Sequence, residues 1–356
     1  MNLLFCGDIM PGGVLPYQDR YISPELQEYM RSFDYRIGTL EAAIGTNLPY
    51  DPVKMTGRQN IIYARNEDFY RVKEMGFDVV SLANNHVWDL GEVGLKNTIR
   101  MLDDNGIKHC GAGMNEEDAS KPAIIEKDGV KTAILAYCMF GNKYLGYVEL
   151  AGKNKPGVNP LIIKRVIDDI RDAKSKYDKV VVMPHWGREY LCEPLFECIK
   201  MAKQMVRAGA DAVIGSHPHQ VQPIVFFRGK PVCFSLGNFL FPDFYMYPPR
   251  PIWYPDSLDE VLGIEDVVGY PFPIDKPIRQ VWNPTSRYGS ALGLVFDKSS
   301  TSVNLRYVHS SEDNIESFSD LPTSIQHQLN KAVRVTTSSL VRMLVYCRRR
   351  VRNIVK

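Results

Sequence analysis

Several polar side chains in this sequence follow directly on short apolar runs of the kind that form buried strands. They comprise two carboxylates, one amide and four imidazoles: Asp8, Glu41, Asn85, His86, His185, His217 and His219. Side chains just beyond the carboxyl ends of strands meet at one edge of an open α/β sheet, where such sheets bind ligands. Carboxylates together with imidazoles suit Zn, Mn or Fe. The set therefore predicts a site for one or two divalent transition-metal ions.

The distribution of the histidines supports a shared site. Four of the seven histidines lie at strand ends, whereas His109, His309 and His327 have no such context. One histidine alone is more often a structural residue than a ligand. Four at strand ends, with an H-x-H pair and two carboxylates, favour metal coordination.

Strands and helices that would position these side chains alternate over the first 240 residues. Apolar runs such as Asn2–Cys6, Phe77–Leu82 and Lys179–Met183 predict strands, while Glu92–Asn105 and Leu161–Lys176 predict helices. Strands that alternate with helices indicate sheets covered by helices.

Residues 242–287 interrupt this alternation with a segment crowded with proline, tyrosine, tryptophan and phenylalanine. A long segment of this kind is often a lid or a binding surface. It could equally be an irregular insertion that packs its aromatic residues on its own domain. A lid would place Tyr245, Trp253 or Trp282 at the rim of the metal site.

The composition is that of a globular protein. The chain has 356 residues, of which 45% are hydrophobic and 24% charged, and these values exclude a disordered chain and a disulfide miniprotein. No apolar run is long enough to span a membrane, and Met1–Cys6 lacks the basic region of a signal peptide. Seven cysteines without a C-x-x-C pair fit reduced thiols. We therefore expect a cytoplasmic protein.

The C-terminal segment is strongly basic. Residues 321–356 carry eight basic and no acidic residues, whereas residues 1–320 carry 35 basic against 41 acidic, a net charge of −6. Apolar residues recur at helical spacing from Leu340 to Ile354, which predicts a basic amphipathic helix. Such a helix binds an anionic membrane or a partner, or docks on its own domain. Nucleic acid is not favoured, because no recognition motif accompanies the charge. We expect a catalytic domain at 1–320 and a helix at 321–356 that contacts the inner face of the membrane.

Seven motifs occur in one order: GDIMPGG, TLEAAIG, SLANNHVWDLGEVGL, GIKHCGAGMN, PHWGREY, GADAVIGSHPHQVQPI and SLGNFLF. In this order they resemble the capsule-synthesis CapA family, which is linked to poly-γ-glutamate capsules and belongs to the calcineurin-like metallophosphoesterase superfamily. The resemblance extends from about Asn2 to Phe241. It implies an α/β fold, namely a four-layer α/β/β/α sandwich with two mixed β-sheets face to face.

The resemblance also implies a role for each residue of the set. Asp8 and His219 would hold one metal ion, Asn85, His185 and His217 the second, and Glu41 would bridge the two. His86 would not bind metal but would donate a proton to the leaving oxygen.

Further residues close to these motifs are candidates from the sequence itself. Asp89 could orient His86, or it could cap the following helix. Four residues could contact substrate, each with a structural alternative: Arg188, Glu189, Asn238 and Arg287.

Two positions depart from the superfamily pattern. Met10 stands where many members have a second early histidine ligand, and Thr39 replaces an asparagine that is common before the bridging carboxylate. The resemblance implies a metal-dependent, phosphoesterase-like hydrolase in the biosynthesis of a capsular or surface polymer, either poly-γ-glutamate or a polysaccharide. Its substrate would be the polymer or a phosphorylated precursor, and its partners the capsule-synthesis machinery. Because Met10 removes one imidazole, a non-catalytic accessory subunit that binds polymer or a synthase is the alternative.

Overall fold

The structure is a computed structural model that describes residues 1–46, 60–140, 148–247, 251–269, 275–296 and 301–337. The strands up to residue 158 are β1 (Asn2–Ile9), β2 (Tyr35–Leu40), β3 (Ala43–Ile44), β4 (Tyr63–Ala64), β5 (Val79–Ser81), β6 (Lys108–Cys110), β7 (Ala112–Gly113), β8 (Ala123–Lys127), β9 (Val130–Cys138) and β10 (Gly157–Val158). The later strands are β11 (Lys179–His185), β12 (Ala212–Ile214), β13 (Ile224–Phe227), β14 (Lys230–Cys233), β15 (Asn238–Leu240), β16 (Phe244–Met246), β17 (Ile252–Trp253), β18 (Glu265–Val268), β19 (Ile278–Val281), β20 (Tyr288–Phe296), β21 (Thr301–Ser310) and β22 (Glu316–Phe318). The α-helices are α1 (Pro24–Arg31), α2 (Tyr70–Glu74), α3 (Gly91–Asp104), α4 (Glu116–Ser120), α5 (Ile163–Lys176), α6 (Phe196–Ala208) and α7 (Thr323–Thr337).

Two mixed sheets form the body of the protein. The first has the order β22-β21-β20-β1-β2-β5-β6, with β15 also paired to β1. Its central strands run parallel, and β20, β21 and β22 are antiparallel. The second has the order β13-β14-β12-β11-β9-β8, with β8 and β13 as antiparallel edge strands. Parallel central strands bring several strand ends to the same edge of each sheet.

Alternating side chains of the second sheet show how the layers pack. Ile134 and Val181 belong to one apolar core with Phe5 of the first sheet. Their neighbours Leu135 and Val182 point to the opposite face and pack with Ile170 of α5. The period of two along a strand therefore places the first sheet on one face and α5 and α6 on the other.

Helices also cover the first sheet. Consecutive residues Leu3 and Leu4 of β1 are both fully buried, so both faces of this strand are covered. Leu26 of α1, Val72 of α2 and Leu95 of α3 belong to the same core. The protein is thus an α/β sandwich of two mixed sheets with helices outside, which confirms the predicted fold class.

The insertion at 242–287 is more regular than its composition indicates. Its described residues form a four-stranded sheet in the order β17-β16-β19-β18. Phe244, Ile278 and Trp282 of this segment form a separate apolar cluster together with Met10, Ala42 and Ile62 of the body. Much of the aromatic content of the insertion is therefore used for packing.

The described part of the basic C-terminal segment packs on the body. Leu321, two residues before α7, and Ile325 and Leu329 of α7 pack against Val221. The stretch from Leu340 to Ile354, where an amphipathic helix is predicted, lies outside the described residues. Within the described ranges, none of the helices combines the length and apolar character that a membrane crossing requires.

Candidate metal centre

The strand-end side chains of the two sheets converge at one place. The ligand atoms of Asp8, Glu41 and His219 all lie within 4.8 Å of one another, and so do those of Glu41, His185 and His217. Glu41 belongs to both groups, as expected of a bridging carboxylate. Asn85 Oδ1 lies 2.8 Å from His185 Nε2, which adds the amide to the second group. The six side chains predicted as ligands are therefore neighbours, although they come from five segments that are far apart in the sequence.

Three of the four carboxylate oxygens at this centre lack, among the described residues, the hydrogen bonds that buried charges require. Both oxygens of Glu41 and Oδ1 of Asp8 are buried without a hydrogen-bond partner in the described part of the chain, and both residues are 0% exposed. Burial, and then the nearby Glu41 carboxylate, raise the pKa of Asp8 well above its ordinary value; burial also raises the pKa of Glu41. Uncompensated carboxylates are costly in a protein interior. Divalent cations would compensate them, so the residues present fit a metal centre.

The backbone of β1 is shaped to present Asp8. An extra residue between Phe5 and Asp8 forms a bulge against β2, a feature that often re-aims side chains at functional sites. A Cβ at Gly7 would lie 1.8 Å from the carbonyl oxygen of Gly237, so only glycine lets β15 approach this closely. The close approach places Asn238 opposite Asp8 in the register of the two strands.

Hydrogen bonds hold two of the imidazoles in orientations suited to metal binding. His185 Nδ1 lies 2.8 Å from Ser216 Oγ, which leaves Nε2 facing Glu41 Oε1 at 3.4 Å. His219 Nδ1 lies 2.9 Å from Asn238 Oδ1. Burial and the neighbouring His219 lower the pKa of His185 well below its ordinary value, which favours the neutral form that metal ions bind.

The segment that carries His217 and His219 has unusual backbone geometry. Their φ angles are 96° and 52°, in the left-handed region that non-glycine residues rarely adopt. The backbone amide of His217 donates to Asp8 Oδ2 at 3.2 Å, and that of Tyr190 donates to the carbonyl of Pro218 at 2.9 Å. Strain of about 1–3 kcal/mol per residue is typical of functional sites where the surrounding structure fixes a ligand.

His86 is paired with Asp89 and lies in neither ligand group. His86 Nδ1 lies 2.6 Å from Asp89 Oδ2, which also accepts a hydrogen bond from the amide of Ile62 at 2.7 Å. Burial lowers the pKa of His86, but the charge and hydrogen bond of Asp89 outweigh it and leave this pKa above its ordinary value. Helix α3 begins at Gly91 without a side-chain cap on Leu90. Asp89 therefore makes the contact with His86 that an orienting role requires.

Asn84 also shapes the candidate metal centre, although it is not among the residues predicted from the sequence. Its Oδ1 accepts hydrogen bonds from the amides of His86 (2.9 Å) and Val87 (2.8 Å). Its Nδ2 donates to the carbonyl of Leu40 at 2.8 Å, one residue before Glu41. Asn84 therefore shapes the turn after β5 and ties it to the end of β2. Its place before Asn85 and His86, directly after a strand, was the available signal.

The four predicted substrate contacts occupy different environments. Asn238 orients His219 and donates through Nδ2 to the carbonyl of Ser286 at 3.1 Å. Glu189 is partly buried, and its charge raises the pKa of His86 and His219, which indicates that it is close to the centre. Arg188 is exposed. Arg287 makes two 2.9 Å contacts with Asp243, so this side chain has a structural partner; substrate binding by these residues stays a prediction.

The insertion reaches the centre through one of its tryptophans. The rings of Trp282 and His219 have centroids 4.9 Å apart, so one of the three aromatic residues expected at the rim contacts a predicted ligand. The ring contacts of Trp253 within the described residues are with Tyr245 and Tyr247, inside the insertion. Asp243, which anchors Trp282, was not identified from the sequence.

Comparison with known proteins gives a consistent family. Residues 2–243 match the family described as "Bacterial capsule synthesis protein PGA_cap". The chain is 32% identical over 258 residues to "Capsule biosynthesis protein CapA" of Bacillus anthracis, covering 68% of this chain and 60% of that protein. It is 34% identical over 247 residues to "PGA biosynthesis protein CapA" of Bacillus subtilis, covering 68% of this chain and 63% of that protein.

The match thus covers less than two thirds of the length of these curated relatives. Among solved structures, the calcineurin-like phosphoesterase YfkN of Bacillus subtilis aligns with a TM-score of 0.46 and 13% identity, over 94% of this chain and 97% of that one.

Proposed function

The chain belongs to the PGA_cap family of bacterial capsule synthesis proteins, and we propose that it is a metal-dependent, phosphoesterase-like hydrolase in the biosynthesis of a capsular polymer. The polymer would be poly-γ-glutamate or a polysaccharide. The substrate would be the polymer or a phosphorylated precursor of it. The observation that carries the proposal is the buried Glu41, which belongs to both groups of potential ligands. Neither of its carboxylate oxygens has a hydrogen-bond partner among the residues that the structure describes.

The proposal assigns the ligands to two ions. Asp8 and His219 would hold the first ion, Asn85, His185 and His217 the second, and Glu41 both. Divalent Mn, Fe or Zn bound there would neutralise phosphoryl oxygens and lower the pKa of a water molecule.

The protein's own groups would complete the reaction. His86, whose pKa is raised by the charge of Asp89 and by its hydrogen bond to Asp89, would donate a proton to the leaving oxygen of the substrate. This proton donor is buried at 5% exposure, which shields it from bulk water. Glu189 would contribute a negative charge beside the centre, which favours a substrate that also presents a cationic or hydrogen-bond-donating group.

Two measurements on the purified full chain test the proposal. Elemental analysis of protein prepared without chelator should find Mn, Fe or Zn, and the loaded protein should hydrolyse a generic aryl phosphate. Less than about a tenth of an equivalent of metal, even after reloading, would refute the metal centre. Stoichiometric metal without any phosphoester hydrolysis would favour the accessory subunit that binds polymer or a synthase.

We further propose that residues 1–320 act as the catalytic domain, that the protein works in the cytoplasm, and that residues 321–356 bring it to the inner face of the membrane beside the capsule-synthesis machinery. Five of the eight basic residues of that segment follow Cys347. A cluster of this kind near an anionic surface contributes about 1 kcal/mol per basic residue.

A further inference from the structure

We infer that the described part of the insertion, residues 242–247, 251–269 and 275–287, is a fixed wall of the metal centre, in which Asp243 positions Trp282 and Trp282 positions the imidazole of His219. The inference rests on the proposed function, because it assigns a metal-positioning role to residues outside the ligand set.

Trp282 and Asn238 contact the ring of His219 in different ways. The Asn238 amide oxygen accepts from Nδ1 at 2.9 Å, which fixes the rotation of the ring in its plane. Trp282 lies beside the ring at 4.9 Å with an interplanar angle of 44°, and Phe241 meets it edge-on at 5.4 Å. Together these contacts restrict tilting of the ring and direct Nε2 towards Glu41 Oε1, 3.7 Å away.

Trp282 is unsuited to stacking on a substrate. Its side chain is only 5% exposed, and its indole N–H donates to the carbonyl of Pro242 at 3.2 Å. A ring this deeply buried offers little surface to a sugar or a nucleobase. Its role at the centre is therefore to position a protein side chain.

Asp243 fixes Trp282 by joining both ends of the insertion. This carboxylate is 0% exposed and accepts from the backbone amide of Trp282 at 3.1 Å. Arg287 contacts both of its oxygens at 2.9 Å, and Arg279 contacts Oδ2 at 3.1 Å. Asn314 adds Nδ2 at 3.3 Å and accepts from the amide of Asp243 at 2.7 Å. Such a buried, multiply bonded carboxylate is a rigid anchor, since loss of one partner leaves a charge unpaired.

The same wall accounts for Met10. This side chain is 0% exposed and packs in the core of the insertion with Phe241, Phe244 and Trp282. Its sulfur accepts from the amide of Gly12 at 3.2 Å. Methionine at this position supports the wall that holds His219. The group of Asp8, Glu41 and His219 therefore lacks a second imidazole, but the imidazole of His219 lies against a packed apolar wall.

Metal titration of chelator-treated full-length protein tests the inference, with Trp253 as the matched control. Trp253 lies in the same small sheet, and its ring contacts are with Tyr245 and Tyr247. We expect Trp282→Ala to weaken Mn²⁺ binding at one of two sites about 10–100-fold, the usual effect of losing a residue that supports a ligand. Trp282→Phe should lose less Mn²⁺ affinity than Trp282→Ala, and Trp253→Ala should bind Mn²⁺ with wild-type affinity. The absorption spectrum of bound Co²⁺ should change in Trp282→Ala and not in Trp253→Ala.

Asp243→Asn provides a second variant of nearly unchanged volume. It should weaken Mn²⁺ binding at the same site. The double variant with Trp282→Ala should lose less Mn²⁺-binding free energy than the sum of the two single losses, because both residues act on His219. Equal Mn²⁺ affinity and equal Co²⁺ spectra in Trp282→Ala and Trp253→Ala would overturn the inference while leaving the proposed metal centre intact. A wild-type protein that binds no metal would overturn both.

Discussion

The pairing of His86 with Asp89 makes a quantitative prediction about catalysis. In the proposed role, His86→Ala removes a proton donor but no metal ligand, because His86 lies in neither ligand group. Asp89→Asn removes the charge that lies 2.6 Å from His86 Nδ1 and keeps the shape of the side chain. Both side chains are 6% exposed, so solvent cannot replace the missing charge.

The size of the effect depends on the leaving group. Loss of a general acid typically costs about 10²–10⁴-fold in rate. An aryl phosphate needs little protonation of its leaving oxygen, so we expect about 10²-fold for His86→Ala with that substrate and a larger loss with an alkyl phosphate. Asp89 acts through His86, so the double variant should be no slower than His86→Ala alone.

The assay compares kcat per bound metal ion for the wild type, the two single variants and the double variant, with metal content and thermal midpoint measured for each. His109→Ala is the control, because His109 Nε2 lies 3.4 Å from Asp103 Oδ1 in a similar pair outside both ligand groups. If His86→Ala lost its metal but kept its rate per remaining ion, His86 would be a ligand. If the losses of the two single variants multiplied in the double variant, Asp89 would act independently of His86.

Four further predictions concern metal, orientation, pH and membrane contact. Removal of metal should lower the thermal midpoint, and metal at 100 times its Kd should restore about 2.7 kcal/mol in calorimetry; an unchanged midpoint would contradict the centre. Ser216→Ala removes the acceptor for His185 Nδ1 and should weaken metal binding about 10-fold or more by titration calorimetry, whereas unaltered affinity would deny it an orienting role. Burial raises the pKa of Glu316 to about 8, so the fold favours the protonated form, and stability present below the ordinary pKa is lost as pH rises towards 8. Urea unfolding should show this fall, of up to ~4 kcal/mol, in the wild type and not in Glu316→Gln. Full-length protein should pellet with anionic but not neutral liposomes and be released by salt, whereas a chain ending at Thr337, which keeps the packed α7, should not pellet; equal behaviour would mean that residues 338–356 do not bind the membrane.

Much of the centre follows from the sequence, because its determinants are local. Asp8, Glu41 and His185 each end an apolar run, and side chains at the ends of parallel strands must share an edge. Short-range hydrophobic patterning indicates those strands directly. The sequence also indicates that His86 differs from the ligands, through the family resemblance and not through its spacing.

Other features of the centre depend on contacts that no local pattern records. Asp243 binds partners 36 to 71 residues away, and nothing around it in the sequence distinguishes it from a surface aspartate. The aromatic composition of the insertion left open whether Trp282 would face a substrate or the protein, and packing against His219 decided this. Met10 could be recognised as a missing ligand, but only the fold shows that it supports the wall beside His219.

The difference between the features that the sequence determines and those that the tertiary structure determines has one physical cause. The sequence by itself determined which side chains stand at strand ends, and therefore which chemistry the protein can assemble, because strand formation and burial follow from neighbouring residues. The tertiary structure shows Glu41 shared by two ligand groups, as the family resemblance implied. It alone decided that Asp89 pairs with His86 and that Asp243 fixes the insertion in place. Those choices depend on how two sheets and an insertion pack, and packing selects among partners that are distant in the chain and equivalent in local pattern.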